Sequence, residues 1–357
     1  MGKLENYWRK IIYKRENIFE YLIFFIFLIF SKIYIFFWEI YLKLYDLKIL
    51  KREKFNLKIV SVGNITLGGT GKTSFVKTIA EFLKEKNIQF VILSRGYKSK
   101  KTHQNFVVKN DSLPSEVGDE PYLLFKELKV PVIIGKNRNK SVKFSLRNFS
   151  PSIVILDDGF QYQKLEKNLE IVLVDASLPF GNYKIFPAGI LRENLSSLKR
   201  ADLIILTKVD QIEKREKENL MRIIKKYTNS PILESIYVPL YLKDFFNNCF
   251  SLELIKGENV VCFSGIGNFS SFVKTVEKLG VKNIIEIEFP DHYFYKRKDI
   301  EEIKLFQKKN GFKVITTEKD AVRIEKEVIS ECKYFFILVV EMRIISGEEI
   351  IKKMLFQ

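Results

Sequence analysis

Short apolar blocks punctuate the chain from residue 56 onward, and the intervals between them carry helical periodicity. NLKIVSV (56–62), IQFVIL (88–93), VPVII (130–134), SIVIL (152–156), LEIVLV (169–174) and ADLIIL (201–206) read as strands. Stretches such as Lys72–Lys86 and Gln211–Tyr227 read as helices between them. Val- and Ile-rich blocks without alternation are buried on both faces, which predicts an α/β fold with a doubly wound, mostly parallel sheet. A second series follows: VVCF (260–263), a helix over Phe269–Leu279, IIEIEF (284–289), a helix over Asp299–Asn310, FKVIT (312–316) and YFFILVV (334–340). It predicts a second, smaller α/β domain, with the join near Pro231–Pro239. The expected division is 1–55, 56–235 and 236–357.

The first fifty-odd residues follow a different pattern. YLIFFIFLIF (21–30) continues through Ser31 and Lys32 into IYIFFW, ending at Trp38. A spanning helix needs about 20 mostly apolar residues, so this run barely qualifies. Lys32 would lie deep in the bilayer at a cost of roughly 2.5–3.5 kcal/mol. No small-residue cleavage site follows, which argues against a signal peptide. Lys3, Arg9, Lys10, Lys14 and Arg15 precede the run, and Lys43, Lys48, Lys51, Arg52 and Lys54 follow it. Basic flanks on both sides give no orientation bias and suit a helix lying in the membrane interface. A helix buried against the body of the protein is the alternative.

Composition narrows the partners. The 357 residues are 46% hydrophobic and 29% charged, a globular balance. Sixty Lys+Arg against forty-three Asp+Glu leave a net charge of +17, which favours an anionic partner. Cys249, Cys262 and Cys332 form no CxxC pair, and His103 and His292 are the only histidines. A disulfide framework, a cysteine zinc site and a histidine-rich metal site are therefore not expected, and the chain reads as intracellular. No RNA-binding motif or basic stripe with stacking aromatics is visible, so no nucleic acid is expected.

The strongest chemical signal is the loop Gly63-Asn-Ile-Thr-Leu-Gly-Gly-Thr-Gly71-Lys72-Thr73, set between a strand and a helix. Backbone N–H groups of Thr66, Leu67, Gly68, Gly69, Thr70 and Gly71 would cradle phosphate oxygens at a helix N-terminus. Lys72 would reach the β- and γ-phosphates and Thr73 would ligate Mg²⁺. The pattern G-x-x-x-x-G-K-[ST] asks for glycine where this chain has Thr66. Asp157 and Asp158 close the strand SIVIL, where open α/β sheets bind ligands, and would complete the metal site. A solvated strand end is the alternative. Thr207-Lys208-Val209-Asp210 is a weak match to the base-reading segment of GTPases.

Gly118-Asp119-Glu120-Pro121 opens a helix, so Asp119 is a cap or a base for a substrate hydroxyl. Phe289-Pro290-Asp291-His292-Tyr293 offers a histidine in a polar loop. Gly265-Ile-Gly267 reads as a plain turn. Thr317-Glu318-Lys319-Asp320 lies at another strand's carboxyl end, facing the interdomain cleft.

Taken in order, GNITLGGTGKT, SRGY (94–97), GDEP (118–121), DDGFQ (157–161), PAGILRE (187–193), FSGIGN (263–268), DHY (291–293) and TEKDAVR (317–323) resemble the tetraacyldisaccharide 4'-kinase family. The resemblance runs from about Val62 to Arg323, and the family's loop shares Thr66. It implies transfer of the ATP γ-phosphoryl to the 4'-hydroxyl of a tetraacyldisaccharide 1-phosphate, giving lipid IVA and ADP. It implies Asp119 as base with His292 as its partner, and Lys72, Thr73, Asp157 and Asp158 around phosphates and Mg²⁺. Arg138 matches a basic position near the transferred phosphate, while Glu120, Gln161 and Glu193 are weaker carry-overs. Tyr162 stands where many members have histidine. The implied partners are ATP, an acylated disaccharide phosphate lipid and an anionic membrane surface, at the cytoplasmic face of the inner membrane. A membrane-associated P-loop ATPase or GTPase switch is the alternative from the residues alone.

Overall fold

The computed structural model describes residues 2–97, 99–101, 104–329 and 334–357. His103 and Cys332 lie outside the described residues, as does the side chain of Lys3. Two helices come first, α1 (Gly2–Tyr13) and α2 (Ile18–Asp46). A first lobe follows with β1 (Lys58–Asn64), α3 (Lys72–Glu85), β2 (Phe90–Ser94), β3 (Phe106–Val107), α4 (Pro114–Val117), α5 (Asp119–Leu128) and β4 (Val132–Ile134). It continues through α6 (Arg138–Phe149), β5 (Ile153–Asp157), β6 (Leu169–Asp175), β7 (Leu203–Thr207) and α7 (Lys214–Lys225). Next come β8 (Ile232–Lys243), β9 (Cys249–Phe250), β10 (Asn259–Ser264), α8 (Phe269–Glu277), β11 (Asn283–Glu288), α9 (Arg297–Asn310) and β12 (Lys313–Thr317). The chain ends with α10 (Glu318–Ala321), α11 (Lys326–Ile329), β13 (Phe335–Ser346) and α12 (Glu348–Phe356).

One continuous sheet carries both lobes, in the order β11-β10-β12-β13-β8-β7-β6-β1-β5-β2-β4-β3, with β9 paired to β8. Neighbours are parallel within each lobe, apart from the short edge strands β3 and β9. The lobes meet through β8 and β13, which run antiparallel from Lys243↔Ile337 to Glu234↔Ser346. Pro239 sits inside β8, where the register shifts between Val339 and Val340. Proline has no N–H to donate, and a bulge accommodates that loss without ending the strand. The join expected near Pro231–Pro239 therefore falls within or beside a paired strand. The C-terminal α12 packs back on the first lobe, with Ile351 and Leu355 in the same core as Val60 and Ile79.

The helix α2 is 29 residues long, about 43 Å at 1.5 Å per residue. Its buried residues are Glu20, Ser31 and Tyr45. Leu22, Phe25, Ile29, Phe30, Ile33, Phe36, Phe37 and Ile40 are exposed, so it is not a buried core helix. Both ends are tied to the body. Before it, the Trp8 indole donates to the Pro187 carbonyl at 2.7 Å, Asn182 donates to the Ile12 carbonyl at 3.1 Å, and Ile11 and Ile12 are buried. After it, Glu53 N–H donates to the Lys164 carbonyl at 3.0 Å.

Candidate active site

The phosphate loop lies between β1 and α3. Gly68 and Gly71 have φ of +101° and +94°, a backbone region that favours glycine, and a Cβ on Gly71 would come 2.5 Å from the Tyr237 hydroxyl. Thr66 needs no such freedom. It is buried and forms an antiparallel bridge with Leu191, while Leu67 N–H donates to the Ile190 carbonyl at 2.7 Å. Asn64 donates to the Thr70 hydroxyl at 2.9 Å, and the Thr207 hydroxyl donates to the Thr70 carbonyl at 3.1 Å. The loop is thus held open from three sides.

Beside it, Asp157 ends β5 and Asp158 turns away at φ +57°. Lys72 Nζ stands 3.4 Å from Asp158, and Arg192 donates to both Asp158 oxygens at 3.0 Å. Burial would raise the Asp158 carboxyl, but Lys72 and Arg192 outweigh it and hold it well below the usual range. Asp157 behaves oppositely: burial, then the charges of Glu120 and Asp158, push it up to about 7. Asp157 Oδ1 and the Thr73 hydroxyl are both buried and lack any protein partner. Two unpaired oxygens next to a phosphate loop fit a Mg²⁺ ion, which takes one or two carboxylates and completes its shell with phosphate and water.

The second cluster spans the lobes. Asp119 opens α5 and is 4% exposed. His292 Nδ1 lies 2.8 Å from its Oδ2, and Arg323 Nε donates to the same oxygen at 2.6 Å. Burial pushes the Asp119 carboxyl up, but the His292 hydrogen bond and the Arg323 charge dominate and hold it far below the usual range. Burial pushes the His292 imidazole down, and the Asp119 hydrogen bond and charge more than reverse this. Arg323 also donates to the Gly265 carbonyl at 2.6 Å and to Asp320 at 3.2 Å. Asp320 in turn accepts from Gly265 N–H and the Tyr295 hydroxyl, both at 2.8 Å. Glu120 is bound to Lys319 at 2.6 Å. The Glu120 charge is felt at both His292 and Asp157, which ties the two clusters together.

The remaining residues singled out in the sequence lie behind this front. Arg138 is 2% exposed and donates to the carbonyls of Gly135 and Asp157 at 3.1 and 3.0 Å. Gln161 donates to the Asn64 carbonyl at 2.8 Å and to Glu193 at 3.0 Å, and Glu193 pairs with Arg200 at 2.8 Å. The Tyr162 hydroxyl lies 3.4 Å from Asn137. Asp210, the base-reading residue of the GTPase-like segment, is paired with Lys278 from the second lobe.

Two features escaped the sequence. Arg323 was visible only as the end of TEKDAVR, with nothing to say that it grips Asp119. Gly265-Ile-Gly267 is more than a turn: His292 N–H donates to the Gly265 carbonyl at 3.0 Å, and a Cβ on Gly267 would lie 2.5 Å from the Gly69 nitrogen. The spacing of two glycines after a strand was the available signal. A cavity of about 140 Å³ opens on this side of the phosphate loop, lined by Ser74, Lys77, Tyr237, Ile266, Phe272 and Glu318 among others.

The model of the tetraacyldisaccharide-1-P 4'-kinase family matches residues 23–357. The chain belongs to this family. The tetraacyldisaccharide 4'-kinase of Halothermothrix orenii is 35% identical over 350 residues, covering 92% of this chain and 90% of the relative. That of Aquifex aeolicus is 36% identical over 288 residues, covering 79% and 84%. A crystal structure of the kinase from Aquifex aeolicus in complex with ATP superposes with a TM-score of 0.70 at 32% identity, covering 92% of this chain and 96% of that one. The family's P-loop α/β architecture is therefore that of this chain, and ATP binding accompanies it.

Proposed function

We propose that the protein transfers the γ-phosphoryl group of ATP to the 4'-hydroxyl of a tetraacyldisaccharide 1-phosphate, producing lipid IVA and ADP. The observation that carries this reading is the presence together, in a member of this kinase family, of the Asp119–His292–Arg323 cluster and the Lys72–Asp158 corner beside the phosphate loop.

Phosphoryl transfer demands positioning, charge stabilisation and one group to take the hydroxyl proton. Residues Thr66–Thr73 would hold the phosphates, with Lys72 released from Asp158 to bind the γ-phosphoryl oxygens. Thr73 and Asp157 would hold Mg²⁺, with Asp158 steering Lys72 and Arg192. The bound ion would offset the negative charge of the phosphates. Asp119 and His292 would take the hydroxyl proton as one unit. The His292 hydrogen bond and the Arg323 charge keep the carboxylate ionised, which leaves the imidazole, raised above its ordinary value by Asp119, as the member that changes charge. Arg138 is best suited to fixing the Asp157–Asp158 turn from behind. The apolar walls of the interlobe cavity suit the nucleotide base, and 236–357 would act as the lobe that closes over 56–235.

The exposed apolar face of α2 favours a monotopic position at the cytoplasmic face of the inner membrane. A spanning helix would separate its ends by the bilayer, whereas both ends here are tied to one body. An in-plane helix also keeps the flanking cations near anionic headgroups, each contributing about 1 kcal/mol. The test is purified protein with ATP-Mg²⁺ and a panel of phosphorylated acceptors. Transfer to the acylated disaccharide supports the reading, whereas phosphate release independent of acceptor favours a switch ATPase.

A further inference from the structure

Ser31 is an anomaly in α2: a hydroxyl 5% exposed, on a helix whose flanking residues are mostly apolar and exposed. Its oxygen lies 2.7 Å from the Ile185 carbonyl and 2.8 Å from the Phe27 carbonyl one turn back, so its one proton is shared between these acceptors, and it accepts from Ala188 N–H at 3.1 Å. One turn along, the Tyr34 hydroxyl donates to the Arg192 carbonyl at 3.2 Å. Farther along, Asn194 donates to Glu39 at 2.7 Å. Positions 31 and 34 are neighbours on one helical face, position 39 lies about two turns beyond Ser31, and all three contact the segment 185–194. The opposite edge of that segment grips the phosphate loop, through Leu67 N–H to the Ile190 carbonyl and Arg192 N–H to the Ile65 carbonyl, each at 2.7 Å. Arg192 then reaches Asp158 with its guanidinium. The segment 185–194, folded on itself by Phe186 N–H to the Leu191 carbonyl at 2.8 Å and Gly189 N–H to the Ile185 carbonyl at 3.1 Å, is therefore a strap that connects the lipid-facing helix to the carboxylate beside Lys72.

We propose that Ser31 and Tyr34 are positioning residues for phosphoryl transfer: through the strap 185–194 they fix the height and tilt of the phosphate loop relative to the membrane surface. The inference rests on the lipid-kinase reading above. An acceptor whose acyl chains stay in the bilayer brings its hydroxyl to a fixed height, so the γ-phosphoryl must be held at the matching height. Misplacement by about 1 Å costs on the order of 10²-fold in rate. A bond that merely stabilised the fold would not distinguish a membrane-held acceptor from a freely dispersed one.

The test uses the full chain as Ser31→Ala, Tyr34→Phe, their combination, and Ser31→Thr, which keeps the hydroxyl. Rates are measured with tetraacyldisaccharide 1-phosphate embedded in anionic phospholipid vesicles and, separately, dispersed in detergent micelles. The combined variant is expected to keep its affinity for a non-hydrolysable ATP analogue and its vesicle partition. Its kcat on vesicles should fall by about tenfold or more, with a clearly smaller loss in micelles. Ser31→Thr should keep the activity that Ser31→Ala loses. Hydrogen exchange of amides in 185–192 should slow when the wild type binds vesicles and stay unchanged in the combined variant. Undiminished kcat on vesicles, equal losses in both formats, or loss of vesicle binding itself would overturn the proposal. If the wild type transfers phosphate in neither format, the kinase reading falls; strap exchange indifferent to vesicles would then reject the coupling separately.

Discussion

Lys72 occupies the position where a positive charge is of most use, 3.4 Å from Asp158 and at the first turn of α3. Removing a contact that stabilises developing charge commonly costs on the order of 10²–10³ in rate, so Lys72→Ala should lose at least that much kcat while remaining folded. Steady-state kinetics with circular dichroism checks it, and full activity would exclude the nucleotide role. Asp119 and His292 should behave non-additively, each single alanine variant losing about as much as the double. Multiplicative losses would separate them. The pH dependence follows from the directions of their shifts. His292 is raised, so rate should climb with pH through a value above the usual imidazole figure of about 6.5. His292→Ala should abolish that limb. For stability, the pair contributes fully between about pH 4 and 6.5. The His292 share is lost as pH rises through its raised pKa, and the Asp119 share as pH falls through its depressed one. Chemical denaturation across this range measures both arms. At this scale the phosphate loop and the Asp157–Asp158 pair were legible because local spacing carries their chemistry, whereas Asp119 and His292 stood out as a pair only through the family resemblance. Arg323 was not legible, because a contact across 204 positions leaves no periodic trace.

Among the elements, the buried strands were legible to within about two residues, since unbroken apolar runs between turns have few other homes, except that β13 continues to Ser346, six residues past the expected end at Val340. Strand β8 was not legible: Pro231 just before it, Pro239 inside it and its mixed polarity mimic a linker, and its pairing with β7 and, along most of its length, with β13 is what stabilises it. Helix α12 also lacked a signal, because its apolar face is meaningful only against the distant first lobe. The apolar run in α2 was plain, whereas its docking through Ser31 and Tyr34 depends on the strap. Phe25, Phe36 and Phe37 are each more than half exposed, so replacing all three by serine leaves the body untouched. Full burial of such a side chain contributes about 1.5–3 kcal/mol. The triple variant should therefore lose anionic-vesicle binding by at least ~100-fold in a flotation assay, with ATP-analogue affinity unchanged. Undisturbed flotation would refute the in-plane anchor.

Across the whole molecule, the site exists only when the lobes meet. Lys319 and Arg323 cross to Glu120 and Asp119, Asn268 donates to Asp175 at 2.9 Å, and Gly267 abuts the phosphate loop. A side chain at Gly267 would strike the Gly69 nitrogen and hold the lobes apart. Gly267→Val should thus reduce kcat and ATP affinity together while barely moving Tm, measured by calorimetry beside kinetics; unchanged kinetics would show that the contact is dispensable. All of this converges on one reaction, so the most direct measurement follows phosphate itself. Purified protein is incubated with Mg²⁺, γ-labelled ATP and tetraacyldisaccharide 1-phosphate in mixed micelles, and the lipid product is mapped by mass spectrometry. The account predicts label on the 4'-oxygen, dependent on acceptor and lost in Asp119→Ala. Label appearing only as inorganic phosphate, at a rate the acceptor does not change, would contradict it.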